Sequence, residues 1–411
     1  MRVVADFHIH SRYSRATSSQ LDLDLLARWA KYKGITLLGT GDCTHPLWLA
    51  ELKQKLKPTT GGLYEYEKVH FLLTAEVNTN FVAQGKGKRI HNVLLVPTIE
   101  IAERLNQQFS KYGNLTSDGR PTLNISARDL VKVCREISQE IMIVPAHAWT
   151  PWFSIFGANS GFDTVEECFG DQAQEIFCLE TGLSSDPAMN WRLSRLDRYT
   201  LISNSDSHSA SRIGREANVF ECELNYRQIV EILKAKGDRR FLYTIEFFPE
   251  EGKYHFDGHR LCKTRLSPEE SAKHGNRCPS CGKKATIGVM HRVQDLADRP
   301  EGYRPESPFP FKRLVPLDQI IAESKGVGVG SKAVEHEYLD LVQRVGTEFE
   351  ILVDLPEEAL RKNLPLKVAE GILRVRSEQI EILPGYDGEY GEVKIFGKGQ
   401  PQVGEKQLTL F

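Results

Sequence analysis

Short apolar runs alternate with amphipathic segments through the first part of the chain. An apolar run from Val3 has strand character, and a helix is predicted around Leu23–Lys33 with one apolar face. A second helix opens at Ser126, with Asp129 in capping-box spacing. The other predicted strands are Ile35–Leu38, Phe71–Val77, His91–Val96, Ile141–Ala146, Glu175–Leu179 and Thr200–Ser203. Strands that alternate with helices indicate an α/β architecture, and this number of units favours a barrel over an open sheet.

The pattern changes past residue 248. Residues 249–300 carry Gly, His and Cys with little periodicity, and a Pro-rich stretch follows them. The region from Leu317 to Ile382 has helical and mixed character, and a Gly-rich tail reaches Phe411. We therefore expect four segments: a barrel (1–248), a small metal-bearing domain (249–300), a mixed α+β domain (301–396) and a flexible tail (397–411).

Composition narrows the class of protein. A hydrophobic content of 40% and a charged content of 26% are ordinary for a globular chain. The net charge of −2 means that any anionic partner needs a local basic patch. Five cysteines are isolated and three cluster late, which is typical of a reducing compartment with one metal site. We find neither a leader nor a run of transmembrane length, and expect a cytoplasmic monomer without a membrane partner.

Imidazoles or carboxylates stand at or near an end of every predicted strand. Singly, each is more often a satisfied core group than a ligand, but a long succession of them predicts a metal site. These donors suit zinc, manganese or iron, and their number suits two or three ions. The residues are His8, His10, Asp42, His45, Glu76, His91, His147, Glu180, Asp206 and His208.

These motifs, in order, resemble the PHP (polymerase and histidinol phosphatase) family of metal-dependent phosphoesterases over residues 1–245. The resemblance implies a distorted (β/α)7 barrel with a trinuclear site. It assigns His8, His10, Glu76 and Asp206 to the first metal, and His91 and His147, bridged by Glu76, to the second. It assigns Asp42, His45 and His208 to the third, although Asp42 and His45 are separated here where the family often has them adjacent. Glu180 is a ligand, a partner of a ligand or a strand-end cap.

The expected chemistry is hydrolysis of a phosphoester. Two or three divalent ions (Zn, Mn, Fe or Mg) lower the pKa of a shared water and supply hydroxide, with Glu76, His147 and Asp206 as the central catalytic ligands. Arginines flank the first and last ligand strands and could clamp a phosphate, or could be solvated loop charges. They are Arg12, Arg15, Arg212 and Arg215.

Two ligand pairs, His259 with Cys262 and Cys278 with Cys281, have the spacing of a Cys3His zinc ribbon holding one structural zinc. His255 or His274 could replace His259. The basic residues around them predict contact with a nucleic-acid backbone, or form a solvated face. They are Lys263, Arg265, Lys283 and Lys284.

Two features of the later chain are candidate binding segments, a glycine-rich loop and the terminal pentapeptide. The loop Gly326–Ser331, with Gly328 and Gly330, precedes a predicted helix Lys332–Val345 and offers N–H groups to a phosphate, or simply caps that helix. The terminal Gln407-Leu408-Thr409-Leu410-Phe411 resembles the bacterial sliding-clamp-binding motif, in which Gln407, Leu408, Leu410 and Phe411 would make the contacts.

A barrel, a zinc ribbon and a mixed C-terminal domain resemble the layout of the endonuclease Q family. Local strings agree, among them His8-Ile9-His10-Ser11-Arg12 and Glu180–Pro187. The resemblance implies a DNA-repair endonuclease that acts on damaged double- or single-stranded DNA. It implies cutting on the 5′ side of a deaminated base (hypoxanthine, uracil or xanthine) or an abasic site.

Such an enzyme should extrude the damaged nucleotide, because a base edge cannot be read inside the stack. We expect Trp149, Trp152 and Phe153, just after His147, to form a stacking platform or wedge, with Asn159 as a base-edge partner. The alternative is that this loop packs on the barrel rim.

Two other functions compete. A small-molecule phosphatase acting on a histidinol-phosphate-like ester would explain the barrel but neither the ribbon nor the tail. A non-catalytic clamp- or DNA-binding adaptor conflicts with the full ligand set, since a decayed site should show gaps.

Overall fold

A computed structural model describes residues 1–397. The predicted clamp-binding residues Gln407, Leu408, Leu410 and Phe411 lie outside the described residues. The strands are β1 (Arg2–Asp6), β2 (Leu37–Gly39), β3 (Lys57–Pro58), β4 (Tyr64–Tyr66), β5 (Val69–Ala83), β6 (Lys86–Val96), β7 (Thr122–Leu123), β8 (Met142–Pro145), β9 (Cys178–Glu180), β10 (Thr200–Ile202), β11 (Ala217–Glu221), β12 (Phe241–Glu246), β13 (Asp257–His259), β14 (Thr264–Leu266), β15 (Phe311–Arg313), β16 (Glu381–Leu383) and β17 (Glu392–Lys394).

The helices lie between these strands and dominate the later part of the described chain. They are α1 (Leu23–Lys33), α2 (Pro46–Lys55), α3 (Ile99–Phe109), α4 (Ala127–Ile137), α5 (Val165–Phe169), α6 (Pro187–Asn190), α7 (Tyr226–Lys234), α8 (Pro268–Lys273), α9 (Val289–Leu296), α10 (Leu317–Lys325), α11 (Lys332–Arg344), α12 (Glu357–Asn363) and α13 (Leu366–Arg376). None of the helices in residues 1–397 has the length and apolar character needed to cross a membrane.

One mixed sheet organises the first 250 residues and also includes the later strand β15. The hydrogen-bonded order is β15-β12-β11-β1-β2-β5-β4-β3, and β6 joins β5 to β8. β1, β2 and β5 are parallel to one another, whereas β11 pairs with β1 and β6 with β5 in antiparallel register. β9 and β10 form a separate parallel pair. The α/β class is therefore confirmed, while a closed seven-unit barrel stays a prediction.

Local sequence explains the element boundaries that were predicted best. α1 occupies the predicted range and ends at Gly34, whose φ of 85° suits a residue without a side chain. α4 starts after Ser126, whose Oγ accepts a hydrogen bond from the N–H of Asp129 at 3.0 Å. The prediction was wrong for the hairpin of β5 and β6, since both strands extend well past the predicted Phe71–Val77 and His91–Val96.

The later segments pack on the sheet through specific contacts. β15 adds to β12 in parallel register, which brings the C-terminal helices to the sheet. The buried Nζ of Lys33, at the end of α1, lies 2.6 Å from Oε2 of the buried Glu348. β13 pairs with β14 in a separate two-stranded sheet, and α8 and α9 pack against this small hairpin. The boundaries at residues 248, 300 and 396 stay predictions.

Candidate metal centre

Four side chains converge beyond the C-terminal end of β1. His8, His10, Glu76 and Asp206 each offer a ligand atom, and these atoms lie within 4.8 Å of one another. Oδ1 of Asp206 lies 3.1 Å from Nε2 of His10 and 3.5 Å from Nε2 of His8. Oε2 of Glu76 lies 3.3 Å from Nε2 of His10. Two imidazoles and two carboxylates at this spacing match a divalent metal site.

Glu76 joins this group to a second one, which contains His91 and His147. Its Oε1 lies 2.6 Å from Nδ1 of His91 and 3.1 Å from Nε2 of His147. One carboxylate oxygen therefore faces each group, which is the arrangement of a bridging ligand between two ions.

The β5–β6 hairpin explains why Glu76 and His91 meet. Glu76 stands opposite Val93, and Asn78 stands opposite His91. Residues two apart share a face of a strand, so Glu76 and His91 are diagonal neighbours on one face of the hairpin. Both were predicted at strand ends, whereas they lie within long strands.

Two candidate ligands have uncommon backbone conformations. His147 follows β8 with a φ of 30°, and Asp206 follows β10 with a φ of 45°. Positive φ costs energy for residues other than glycine and concentrates at functional sites. Gly182 supports the first turn, because a Cβ there would lie 2.6 Å from the Cβ of His147.

Buried carboxylates hold the outer nitrogens of the first two histidines. Glu180 ends β9 and places Oε2 3.0 Å from Nδ1 of His8. The same carboxylate accepts hydrogen bonds from the backbone N–H of His147 at 2.7 Å and from Nδ2 of Asn204 at 2.8 Å. Of the three roles left open for Glu180, the contacts favour a partner that orients a ligand.

Asp42 makes the matching contact with His10, at 3.0 Å from Nδ1. Its other oxygen accepts hydrogen bonds from the N–H and Oγ of Ser11, both at 2.7 Å, and from Oγ of Ser14 at 2.9 Å. Both oxygens are thus occupied by protein donors. These contacts favour Asp42 as a residue that orients His10, and its direct ligation of a third metal stays a prediction.

The other two predicted ligands of the third metal, His45 and His208, do not join a ligand group with Asp42 in the described chain. The ring of His45 stacks on Tyr13 with centroids 4.4 Å apart, and its buried Nδ1 has no hydrogen-bond partner. His208 lies with its ring centroid 4.3 Å from that of His10. Within residues 1–397, the ligand groups that form do not include Asp42, His45 or His208.

Opposing charges dominate the electrostatics of the centre. Burial acts to lower the pKa of His8, but the carboxylates of Glu180 and Glu76 hold it well above its usual range. Burial acts to raise the pKa of Glu76, but His91 and Arg120 hold it well below its usual range. Burial lowers the pKa of His91 to about 4, which favours the neutral, metal-binding form of its ring.

Arg120 is a site residue that the sequence did not reveal. Its Nη1 lies 3.0 Å from Oε2 of Glu76. It follows Gly119, where a Cβ would lie 2.3 Å from Oδ2 of Asp42, so the loop needs glycine to approach the centre this closely. No periodic or ligand-spacing signal marks such a loop residue.

The predicted phosphate clamps contact other groups of the protein. Arg12 lies 2.6 Å from Oε1 of Glu51, and Arg212 lies 3.4 Å from Oδ2 of Asp318. The half-buried guanidinium of Arg215 donates to the carbonyl of Ser205 at 2.9 Å. Arg12 and Arg212 thus pair with acidic neighbours, and their role as phosphate clamps stays a prediction.

The aromatic loop after His147 divides into buried and accessible residues. Trp149 is fully buried and donates from Nε1 to Oδ1 of Asn190 at 2.8 Å, so its predicted role as a stacking platform is wrong. Trp152 is 40% exposed and touches Tyr254, with ring centroids 4.9 Å apart. Phe153 stacks on His91 at 5.0 Å, and Asn159 is exposed.

The ribbon residues form a third ligand group, His259, Cys262, Cys278 and Cys281. In the described chain this group contains His259 rather than His255 or His274. Thr264 lowers the pKa of Cys278 to about 6, which favours the zinc-binding thiolate. The nearby basic residues Lys263, Arg265, Lys283 and Lys284 are exposed.

The glycine-rich loop is open to solvent. A Cβ placed on Gly328 or Gly330 would meet no atom within 4 Å. Ser331 caps α11 by accepting from the N–H of Val334, so the capping role is present whether or not the loop binds phosphate.

Comparison with known proteins places this centre in a family. Residues 316–379 match the family described as the MJ0043 C-terminal domain. The chain is similar to the crystal structure of the lesion-specific endonuclease PfuEndoQ from Pyrococcus furiosus. The identity is 34%, the TM-score is 0.86, and the match covers 96% of this chain and 95% of that one.

The chain belongs to the endonuclease Q family, as its sequence motifs indicated.

A second endonuclease Q structure, in complex with a 27-mer duplex that has an abasic lesion at the active site, matches with 34% identity and a TM-score of 0.85 over 96% of each chain. YqxK of Bacillus subtilis is 28% identical over 96% of this chain and 99% of its own length. MJ0043 of Methanocaldococcus jannaschii is 32% identical over 255 residues. The matched region covers 60% of this chain but only 31% of that larger protein.

Proposed function

We propose that this protein cuts the phosphodiester bond on the 5′ side of a deaminated base or an abasic site in DNA. As a member of the endonuclease Q family, the chain is a metal-dependent DNA endonuclease. The observation that carries the proposal is a likeness that extends over 96% of the chain to a lesion-specific endonuclease and to one bound to lesion-bearing duplex. That likeness includes the ribbon and the C-terminal helices, for which a small-molecule phosphatase has no use.

The donor set fits two divalent ions. Nε2 of His8 is buried and has no hydrogen-bond partner, which is costly unless it binds a cation. His8, His10 and Asp206 would hold one ion, His91 and His147 the other, and Glu76 both. Such ions supply Lewis acidity to the phosphate and acidify a water for attack on phosphorus.

The chain's own residues prepare this chemistry. Glu180 and Asp42 accept from the Nδ1 atoms of His8 and His10, which leaves Nε2 of each ring free to ligate. Arg120 places a fixed positive charge beside Glu76, where it can bind a non-bridging phosphate oxygen.

Around the centre, we assign lesion recognition to the accessible part of the aromatic loop. The damaged nucleotide leaves the stack, and Trp152 or Phe153 fills the gap or supports the base. Asn159 contacts a base edge. The ribbon holds one structural zinc, and Lys263, Arg265, Lys283 and Lys284 bind the DNA backbone. Gly328 and Gly330 offer backbone N–H groups to a phosphate, and the terminal residues Gln407–Phe411 bind a sliding clamp.

The test compares duplexes that carry one deoxyinosine, one uracil, one abasic site or no lesion, with Mn²⁺, Mg²⁺ or Zn²⁺ added to the purified protein. We expect incision on the 5′ side of each lesion and none in the undamaged duplex. His8→Ala and Glu76→Ala should abolish it, whereas His70→Ala, near the N-terminal end of β5 and outside the ligand groups, should not. Hydrolysis of a small phosphomonoester without any incision would overturn the proposal in favour of a phosphatase.

A further inference from the structure

A cleft of about 340 Å³ opens directly beside the second ligand group. His91 forms part of its wall, and Arg15, Arg89 and Arg120 line it with positive charge. Its volume lies in the range of small-ligand sites and suits one nucleotide rather than a large cofactor. Neither the ligand motifs nor the ribbon accounts for this cleft.

The charges in the cleft are only partly balanced. Arg120 is held by Glu76 at 3.0 Å, and Arg15 lies 3.4 Å from Asp118 with most of its side chain exposed. Arg89 is exposed, and within residues 1–397 its guanidinium forms neither a hydrogen bond nor an ion pair. The guanidinium lies over the ring of Phe153, at 5.9 Å from the centroid. A free guanidinium beside a phosphoester-cutting centre fits a phosphate ligand.

Phe153 gives the cleft an aromatic wall. Its φ of 63° is unusual for a residue with a side chain. The backbone is held there from both sides, because its carbonyl accepts from the N–H of His91 at 2.8 Å and its N–H donates to Oγ of Ser160 at 3.1 Å. The fold thus keeps a strained residue where its ring lies over a candidate ligand and faces the cleft.

A buried amide completes the lining. Nδ2 of Asn78 donates to Oγ1 of Thr122 at 3.0 Å, and its Oδ1 is buried without a hydrogen-bond partner. An acceptor left unpaired in a cleft lining is costly unless a ligand donates to it. Base-edge amino and imino groups or a sugar hydroxyl could do so.

We propose that this cleft binds one nucleotide of the cleaved strand, next to the scissile phosphate. The Arg89 guanidinium binds the phosphate of that nucleotide, Phe153 stacks on its base, and Asn78 accepts from its polar edge. The inference rests on the proposed function and adds to it a nucleotide subsite that adjoins the second ligand group at His91. The same subsite holds the cut end of the strand after hydrolysis.

The test uses Arg89→Ala and Arg89→Lys, with Arg104→Ala as the matched control. Arg104 is an exposed arginine on α3 without an ion pair in the described chain, so its removal changes net charge equally. Affinity for the nicked product duplex is measured by fluorescence anisotropy with Mn²⁺ present. Because the duplex is already cut, no turnover occurs during the measurement. Arg89→Ala should weaken binding about tenfold, and its log–log salt slope should fall by about 1. Arg89→Lys should keep the wild-type salt slope, and Arg104→Ala should match the wild-type protein in both affinity and salt slope.

Neutral methylphosphonates, placed one at a time at the phosphates flanking the cut, identify the phosphate that Arg89 binds. For the wild-type protein, the methylphosphonate at one of these phosphates should weaken binding about as much as Arg89→Ala does. For Arg89→Ala, the same methylphosphonate should cause no further loss of affinity. Unchanged affinity of Arg89→Ala, or full sensitivity of that variant to the same methylphosphonate, overturns the subsite. Failure of the wild-type protein to incise any lesion duplex would instead count against the proposed function, because product binding does not depend on incision.

Stacking has its own readout. Phe153→Leu keeps an apolar side chain but removes the ring, so affinity for the product duplex should fall at least about fivefold. The loss should disappear when the nucleotide in the subsite is replaced by an abasic one. An equal loss with and without that base would show that Phe153 acts only on the fold of the loop, and would overturn this part of the proposal.

Discussion

Asp42 accepts a hydrogen bond from Nδ1 of His10 at 3.0 Å and so fixes which nitrogen of that ring faces the metal centre. The opposite nitrogen, Nε2, then lies 3.1 Å from Oδ1 of Asp206. A carboxylate behind a histidine ligand sets its tautomer and raises its basicity. These contacts favour a role for Asp42 that acts through His10, whereas the resemblance to the PHP family had assigned it to a third metal.

We predict that Asp42→Asn weakens metal binding without removing the site. The amide can still face Nδ1 but cannot accept as strongly, so the Mn²⁺ concentration for half-maximal incision should rise about 10- to 100-fold. The measurement is a metal titration of incision, with bound metal counted in parallel. Asn114→Ala, in a nearby exposed loop, serves as the control. A loss of one whole metal equivalent at saturating Mn²⁺ would show that Asp42 is a direct ligand after all.

The residues that were predicted well are those whose chemistry is local in sequence. The two-residue spacing of His8 and His10 just after β1, and the pairs around Cys262 and Cys278, define ligand geometry over a few residues. Arg120 and Arg89 carry no such signal, because they reach the centre through a loop and a hairpin whose register is set by tertiary pairing. The same reason explains why the burial of Trp149 was not predicted. Whether a residue of this loop points inward depends on a tertiary partner, which for Trp149 is Asn190.

The two tryptophans of the aromatic loop should separate stability from activity. Trp149→Ala removes a fully buried ring and should cost about 3–5 kcal/mol of unfolding free energy. Trp152→Ala removes a ring that is 40% exposed, and should leave the melting temperature nearly unchanged while lowering incision at deoxyinosine. Thermal unfolding and single-turnover incision of both variants check this. Unchanged incision by Trp152→Ala would remove that residue from lesion recognition.

The ribbon provides a matched pair of histidines. Because His259 shares the ligand group with the three cysteines and His274 does not, His259→Ala should lower bound zinc, while His274→Ala should keep one equivalent. Zinc is counted by metal analysis of the purified variants after dialysis. A loss of zinc in His274→Ala would contradict the assignment of His259, because it would show that His274 is a zinc ligand.

A pair of buried carboxylates lies behind the centre. Burial raises the pKa of Glu246 to about 8, and its two oxygens accept from Oγ1 of Thr244 and of Thr181. Burial also raises the pKa of Glu216, with Glu246 beside it as the next cause, and Oε2 of Glu216 has no hydrogen-bond partner. Both groups therefore favour the protonated form in the folded protein.

The folded protein holds the Glu246 proton more tightly than the unfolded chain, in which the pKa is near its ordinary value of 4.5. This contribution to stability is complete below that value and is lost as pH rises through about 8. We predict that Glu246→Gln, which keeps a neutral group of the same shape, matches the wild-type melting temperature at about pH 5 and exceeds it by a few degrees at about pH 9. Thermal unfolding across this range checks the prediction, with the exposed Glu358→Gln as a control that should follow the wild-type curve. Parallel curves for the wild-type protein and Glu246→Gln would show that Glu246 is ionised in the folded state at neutral pH.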